Sequence, residues 1–183
     1  MTTTHAPLRN GPLLAAAIAS IEGAVVLREQ IATGAVTPDP DVPITLWDQR
    51  SWRNDFYGFD RCGTTQCLAG WVAELGGAKW LVTFTPDGPM LGGRRIDVSY
   101  TELRRLAEYV MAEPDDPEQW VIEVLGDRVI PVQIKAMRYL ALSPMIVRNP
   151  DGTINRDVHH DVFLGHQTLN DIRDWYARLY PAS

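Results

Sequence analysis

The sequence predicts a mainly α-helical fold. We expect a single domain over residues 1–183, with about six helices bundled around a helix that contains Cys67. Three observations support this prediction. The length and the composition, 45% hydrophobic and 22% charged, fit one domain with a substantial core. Apolar residues recur at spacings of three and four, the period of a helix, in several segments of the chain. Only residues 79–98 combine β-prone side chains with strong turn chemistry, and they predict one small inserted β-hairpin.

The first helix is expected to begin at Asn10-Gly11-Pro12, after residues 1–9, which we expect to be disordered. Proline suits the first helical position, because the N–H that it lacks would have no partner in the helix there. Gly34 marks the expected end of the helix. One apolar face follows at steps of four, three and four residues, made by Leu14, Ile18, Ile21 and Val25.

The same segment bears on localisation. Residues 13–20 have the composition of a short signal-peptide core, but the apolar periodicity continues to Ile31, which favours a helix of the folded domain. No run of side chains reaches the roughly 20 consecutive apolar residues that a membrane helix needs. Two cysteines do not make a disulfide framework. We therefore expect a cytoplasmic protein that does not bind membranes.

Further helices are predicted from amphipathic patterns and capping residues. The clearest begins at the capping box Ser99–Glu102, and its apolar face is Leu103, Leu106, Ala107, Val110 and Met111. Shorter helices are expected after Asp116 and from Pro131. The last helix is expected to begin near Thr168.

The stretch Cys62-Gly63-Thr64-Thr65-Gln66-Cys67-Leu68-Ala69-Gly70-Trp71 contains both cysteines of the chain. Gly63 permits a turn, and Thr64 or Thr65 could then cap a helix that runs to about Leu75. Small side chains at Cys67, Ala69 and Gly70 would let another element approach this helix closely, whereas Trp71 would supply packing bulk. The simplest interpretation is a tightly packed central helix in which the cysteines are small apolar spacers.

Three chemical interpretations of the cysteines remain open. Cys62 and Cys67 could form a disulfide that closes a small loop. Cys67 could be a nucleophile or a thiol switch, with His159, His160 or His166 as its base. A zinc ion could be bound by Cys62, Cys67, His159 and His160, although neither spacing is that of a common zinc motif. Three of the four histidines lie in the segment 157–166 beside two aspartates, where surface histidines near a helix start are the plainer explanation.

Charge and motifs limit the classes of function. The formal net charge of −6 and the absence of a basic stripe argue against general binding to nucleic acid or to anionic membranes. The chain contains no phosphate-binding, dinucleotide-binding, HExxH or GxSxG motif, so no cofactor is expected. The sequence thus favours a non-enzymatic accessory protein that acts by binding another protein, and it gives no indication of oligomeric state.

The motif Cys62–Trp71, preceded by Trp47-Asp48-Gln49 and Trp52, resembles one found in small, uncharacterised actinobacterial and actinobacteriophage proteins. Their shared pattern is Cys-Gly-Thr-x-x-Cys-x-Ala-Gly, and the resemblance covers roughly residues 12–76. The segment 167–172 is similar, more loosely, to the closing helix of that group, whereas residues 79–98 and 143–160 look like additions. The resemblance implies a helical fold and a phage or actinobacterial cytoplasmic setting. It implies no reaction.

Overall fold

The computed structural model describes residues 10–39, 44–47, 54–55, 63–85, 87–142, 163 and 167–180. Five α-helices occur in these ranges: α1 (Gly11–Ala32), α2 (Leu68–Leu75), α3 (Tyr100–Leu106), α4 (Val132–Tyr139) and α5 (Leu169–Leu179). The same ranges contain nine short strands. They are β1 (Ile44–Trp47), β2 (Asn54–Asp55), β3 (Gly63–Gln66), β4 (Val82–Thr85), β5 (Gly88–Leu91), β6 (Arg94–Arg95), β7 (Tyr109–Met111), β8 (Ile122–Val124) and β9 (Asp127–Pro131).

The strands form three sheets of three strands each within the described ranges. In the first sheet β3 is central, parallel to β1 and antiparallel to β2. The second is the antiparallel sheet β4–β5–β6. The third is antiparallel with β9 between β7 and β8, and residues 109–111 of β7 pair with residues 131–129 of β9.

The prediction of a mainly α, six-helix bundle is therefore wrong, and the fold is mixed α and β. The predicted helix from Ser99 to Met111 stops at Leu106, and Tyr109–Met111 form strand β7 instead. The predicted helix after Asp116 is a 3-10 turn followed by strand β8. Apolar runs this short fit either periodicity, and β-branched residues such as Ile122 and Val124 prefer a strand that can pair with β9.

Three helices begin at or next to the predicted start and carry side-chain caps, although the first helical residue of α1 is Gly11 and not Pro12. Asn10 Oδ1 accepts a hydrogen bond from the Leu13 amide (3.2 Å), and Ser99 Oγ accepts one from the Glu102 amide (3.2 Å). Thr168 and Asp171 form a reciprocal capping box. Helix α2 differs from expectation: Thr64 and Thr65 lie in strand β3, and Cys67 is the N-cap residue, without a side-chain capping bond.

The length and composition of helix α1 bear on the expectation that no segment is apolar enough to span a membrane. It has 22 residues, and its most apolar window has a mean hydropathy of 1.5, so by length and composition it could cross a membrane. It is the one such helix among the described residues. Its inward residues Leu14, Ala17 and Ile21 are completely buried in the core of the fold, which is also how the central helix of a globular protein behaves.

Two main regions of buried apolar side chains organise the fold. The first lies among α1, α2, α4 and α5, and includes Leu14, Ile21, Leu68, Val72, Met137, Leu140, Ile172 and Trp175. The second lies between the β4–β5–β6 sheet, helix α3 and the β7–β9–β8 sheet, and includes Val82, Leu103, Leu106 and Val129. A smaller cluster joins α2, β7, β9 and α4 through Ala73, Val110, Ile130 and Val132.

Helices α2 and α4 are in close contact at Gly76, the C-cap residue of α2. A Cβ atom built on Gly76 would lie 2.3 Å from Cδ2 of Tyr139, well inside van der Waals contact. Because the Tyr139 ring fills this space, residue 76 has no room for a side chain.

We expect Gly76→Ala to lower the free energy of unfolding by about 1–3 kcal/mol, because the new methyl group forces the Tyr139 ring or the helices apart. Gly23→Ala is the matched control. Gly23 lies in α1 with nothing within 4 Å of an added Cβ, so this change should be neutral or stabilise the helix by up to about 1 kcal/mol. Urea denaturation of both variants checks the contrast, and equal effects would contradict the close contact.

Candidate functional site

Cys67 lies at the N-terminus of α2 and is completely buried in the helical core, as are Leu68 and Ala69. Gly70 is also buried, whereas Trp71 is half-buried and packs against the same cluster. Reactive thiols need exposure and an electropositive environment, whereas cysteines buried among apolar side chains are inert. The position of Cys67 therefore fits the structural interpretation and weighs against a nucleophile.

The other residues of the chemical hypotheses lie outside the described ranges. Cys62, His159, His160 and His166 belong to this group, so the disulfide, the zinc site and a Cys67–histidine pair remain predictions. Of the motif residues, Gly63 and Thr64 are placed in strand β3, which pairs with β1 and β2. Within the part of the chain that the structure describes, no group of three or more His, Cys, Asp or Glu side chains could hold a metal ion.

A different group of polar residues is brought together by the fold, and we call it the Lys135 cluster: Glu113, Asp115, Asp116, Lys135, Arg138 and Tyr139. The acidic residues come from the turn after β7. That turn is closed by two bonds between its ends: the Asp116 amide donates to the Glu113 carbonyl (3.0 Å), and the Glu113 amide donates to Asp116 Oδ2 (2.6 Å). The other three residues come from one face of α4, because positions i, i+3 and i+4 of a helix are neighbours.

Lys135 is the centre of the cluster. Its side chain and that of Asp116 are both 0% exposed. The ammonium group donates to Glu113 Oε2 (2.6 Å) and to Asp116 Oδ2 (2.8 Å), and it lies 5.1 Å from the centroid of the Tyr139 ring. The burial cost of a lysine charge is thus offset by two carboxylates and an aromatic face.

Arg138 and Tyr139 complete the cluster around Glu113. Arg138 Nη1 donates to Glu113 Oε2 (3.2 Å), and the guanidinium also pairs with Asp115 and Asp116. The Tyr139 hydroxyl donates to Glu113 Oε1 (3.0 Å). Three acidic and two basic side chains share the site, so it has a formal charge of −1 and a partner for each charged group.

The electrostatic effects are those of a closed network. Burial raises the pKa of the Tyr139 hydroxyl well above its ordinary value, and the hydrogen bond to Glu113 raises it further. The Asp115 carboxylate accepts a hydrogen bond from Arg138, which lowers the pKa of this aspartate. Burial opposes the charge of Arg138, but the neighbouring Asp116 and Asp115 outweigh it and raise the pKa of Arg138. Lys135 is surrounded by its own partners, so this site acts as a structural clamp between the turn and α4.

Sequence reasoning missed this cluster. In the sequence, Asp116 marks only the expected start of a shorter helix, and the apolar pattern of the helix from Pro131 gives no role to Lys135. The one available signal was a lysine directly between Ile134 and Ala136, both of which are buried. Its carboxylate partners lie 19 and 22 residues earlier, a separation that no local pattern predicts.

A second feature is the exposed face of α1, which we call the α1 outer stripe: Pro12, Ala16, Ala19, Gly23 and Val26. All five residues are exposed, and Val26 is 53% exposed. They recur at steps of four, three, four and three, so they lie on one face over about 21 Å. Glu22 is the one charged residue between Gly11 and Leu27, and its carboxylate pairs with Arg173 of α5 (2.7 Å).

We expect Lys135→Met to destabilise the protein by about 3–5 kcal/mol, because it removes the buried cation shared by Asp116 and Glu113 and leaves Arg138 as the cation beside Asp116. In the Lys135→Met background, Asp116→Asn should cost much less than in the wild type, since the two residues act together. Arg173→Met, which removes an exposed ion pair, should cost only about 0.2–1 kcal/mol. Denaturant titrations of this mutant cycle give the coupling, and additive effects of the two buried changes would refute the clamp.

Tyr139→Phe should change the response of stability to alkaline pH. The folded chain holds the Tyr139 proton more tightly than the unfolded chain does. The contribution of this group is therefore complete below about pH 10, the ordinary pKa of tyrosine, and is lost as the pH rises above it. The phenylalanine variant should be less stable at neutral pH by about 0.5–1.5 kcal/mol and should lose less stability above pH 10 than the wild type. Parallel curves of unfolding free energy against pH would contradict this.

Comparison of the chain with models of known families, with curated proteins and with solved structures found no match to any of the three.

Proposed function

We propose that this protein is a non-enzymatic accessory protein that acts by binding another protein through the α1 outer stripe. The proposal rests on one observation, which is that α1 is apolar both on the side that faces the core and on the side that faces solvent. A helix that is apolar all round is normally covered all round. Here one side is covered by the core, and the other side exposes Ala16, Ala19 and Val26 to solvent.

The polar groups that the structure describes support the same proposal. Cys67 is buried among apolar residues, and the charged groups of the Lys135 cluster bind one another. Both features account for stability, and neither presents a reactive group to a substrate. This supports binding over catalysis for the described part of the molecule.

The stripe suits a particular kind of partner surface. Small residues at Ala16, Ala19 and Gly23 let another backbone come near the helix axis, and Val26 adds a larger apolar contact. We propose an apolar helix face of another protein as the binding partner. The proposed setting is the cytoplasm, and if the chain is phage-encoded the partner would be a host protein.

The test is the variant Ala19→Glu, which puts a charge in the middle of the stripe. The full-length protein is immobilised, and proteins retained from an extract of the native host are quantified. Desolvating the new carboxylate against an apolar face should reduce retention of the partner at least about tenfold. The unfolding free energy should stay within about 0.5 kcal/mol of the wild type, because the site is exposed.

Ala177→Glu is the matched control. Ala177 is an exposed alanine on α5, so the same chemical change is made on a helix surface away from the stripe. Retention should be unchanged by this control. A set of captured proteins that Ala19→Glu and Ala177→Glu retain equally would overturn the proposed binding surface.

A further inference from the structure

The start of helix α1 contains a chemically reactive dipeptide. Asn10 is exposed to water and is followed by Gly11, the first residue of α1. Asparagine before glycine can cyclise, because glycine has no Cβ atom to hinder the approach of its backbone nitrogen to the asparagine side chain. This nitrogen is also available, since the first amides of a helix have no carbonyl partner within the helix.

The packing of the fold requires glycine at this position. Gly11 is buried, and the ring of Tyr180, the C-cap residue of α5, lies against it. A Cβ atom built on Gly11 would lie 2.9 Å from Cε1 and 3.0 Å from Cδ1 of Tyr180. A larger residue would therefore push the start of α1 away from the end of α5. The glycine that makes Asn10 reactive is thus part of the contact between two helices.

We propose that Asn10 is a site of spontaneous deamidation, and that the contact between Tyr180 and Gly11 restrains the reaction. The Gly11 nitrogen attacks Cγ of Asn10, and the new N–Cγ bond closes a succinimide ring. The Cγ–Nδ2 bond breaks, and ammonia leaves with the proton of the Gly11 amide. Water then opens the ring. Attack at Cγ gives aspartate, attack at the backbone carbonyl carbon gives isoaspartate, and the net reaction consumes one water and releases one ammonia.

The folded start of α1 opposes ring closure. Asn10 Oδ1 accepts a hydrogen bond from the Leu13 amide (3.2 Å), and the Asn10 carbonyl accepts one from the Leu14 amide (3.2 Å). The succinimide ring is flat, so Asn10 has to rotate about its Cα–C bond, from a ψ angle of 71°, before the nitrogen can reach Cγ. That rotation breaks the bond to Leu14 and moves Gly11 away from the Tyr180 ring. The reaction therefore waits for the first turn of α1 to open.

The two products have different effects on α1. Aspartate is as good an N-cap residue as asparagine, and its charge would lie at the positive end of the helix dipole, where the first turn has no acidic residue. Isoaspartate adds a methylene group to the main chain, so the capping geometry at the Leu13 amide is lost. Isoaspartate therefore weakens the start of α1, whereas aspartate preserves it. This modification is separate from the proposed binding through the α1 outer stripe.

The first test follows the asparagines of the full-length protein by peptide mapping and mass spectrometry during incubation at mildly alkaline pH. Asn10 should be converted at least about fivefold faster than Asn170, which is also exposed but precedes Asp171. Unfolding the chain in urea should raise the rate at Asn10 at least about fivefold, because the cap and the first turn then no longer hold it. Conversion of Asn10 no faster than that of Asn170 overturns the proposal, and an equal rate in urea overturns the restraint.

Variants of Tyr180 test the contact directly. Tyr180→Ala should raise the rate at Asn10 at least about threefold, because the first turn of α1 opens more often. Tyr180→Phe should react at the wild-type rate, since it keeps the ring atoms that contact Gly11. Arg178→Ala changes an exposed residue of α5 and is the control. Circular dichroism checks that each variant is folded. Equal rates in Tyr180→Ala and Arg178→Ala would exclude a role for the ring.

Gly11→Ala separates the chemistry from the packing, and it decides the question even if Tyr180→Ala does not fold. The added methyl group clashes with Tyr180, so the Tm should fall by about 2 °C or more. The same group hinders the attacking nitrogen, so conversion of Asn10 should slow at least about fivefold despite the lower stability. Faster conversion in this variant overturns the inference. None of these outcomes affects the proposed function, which is tested by capture of a partner.

Discussion

The ammonium group of Lys135 and the carboxylate of Asp116 meet where both side chains are completely buried. Burying two charges costs solvation free energy, which cancels much of the attraction between them. We infer that the main effect of the pair is to fix one arrangement of the groups around it. Here it fixes the turn after β7 against α4. Helix α4 and its C-cap residue contribute Met137 and Leu140 to the helical core, and α4 contributes Val132 to the cluster that reaches β7 and β9. The pair thus holds the helical and sheet-containing parts of the molecule in one relative position.

Tyr139 connects the Lys135 cluster to helix α2. Its hydroxyl donates to Glu113, which ties the ring of this α4 residue to the turn after β7. Its edge occupies the space beside Gly76 at the end of α2. Helix α2 in turn carries Cys67, Leu68 and Val72 into the core. The small residue Gly76 therefore allows close packing at the C-terminal end of this helix.

Local signals in the sequence were sufficient for several helix starts. Asn10, Ser99 and Thr168 all cap the helices that their positions predicted, because capping involves residues only two or three apart. The strands were harder. Tyr109–Met111 and Ile122–Val124 are each three residues long, and their identity depends on pairing with β9, which follows later in the chain. The Lys135 cluster could not be predicted from the sequence for the same reason, because only the tertiary structure brings the partners of Lys135 to it.

The pairing of α1 with α5 has a consequence during synthesis. Glu22 and Arg173 are 151 residues apart, yet they form an ion pair beside a core that both helices share. At translation rates of about 5–20 residues per second, α1 leaves the ribosome roughly 8–30 s before its partner exists. During that interval α1, which is apolar on both of its sides, is only partly covered, because α5 has not yet been synthesised. A nascent chain of this kind is a natural substrate for a chaperone.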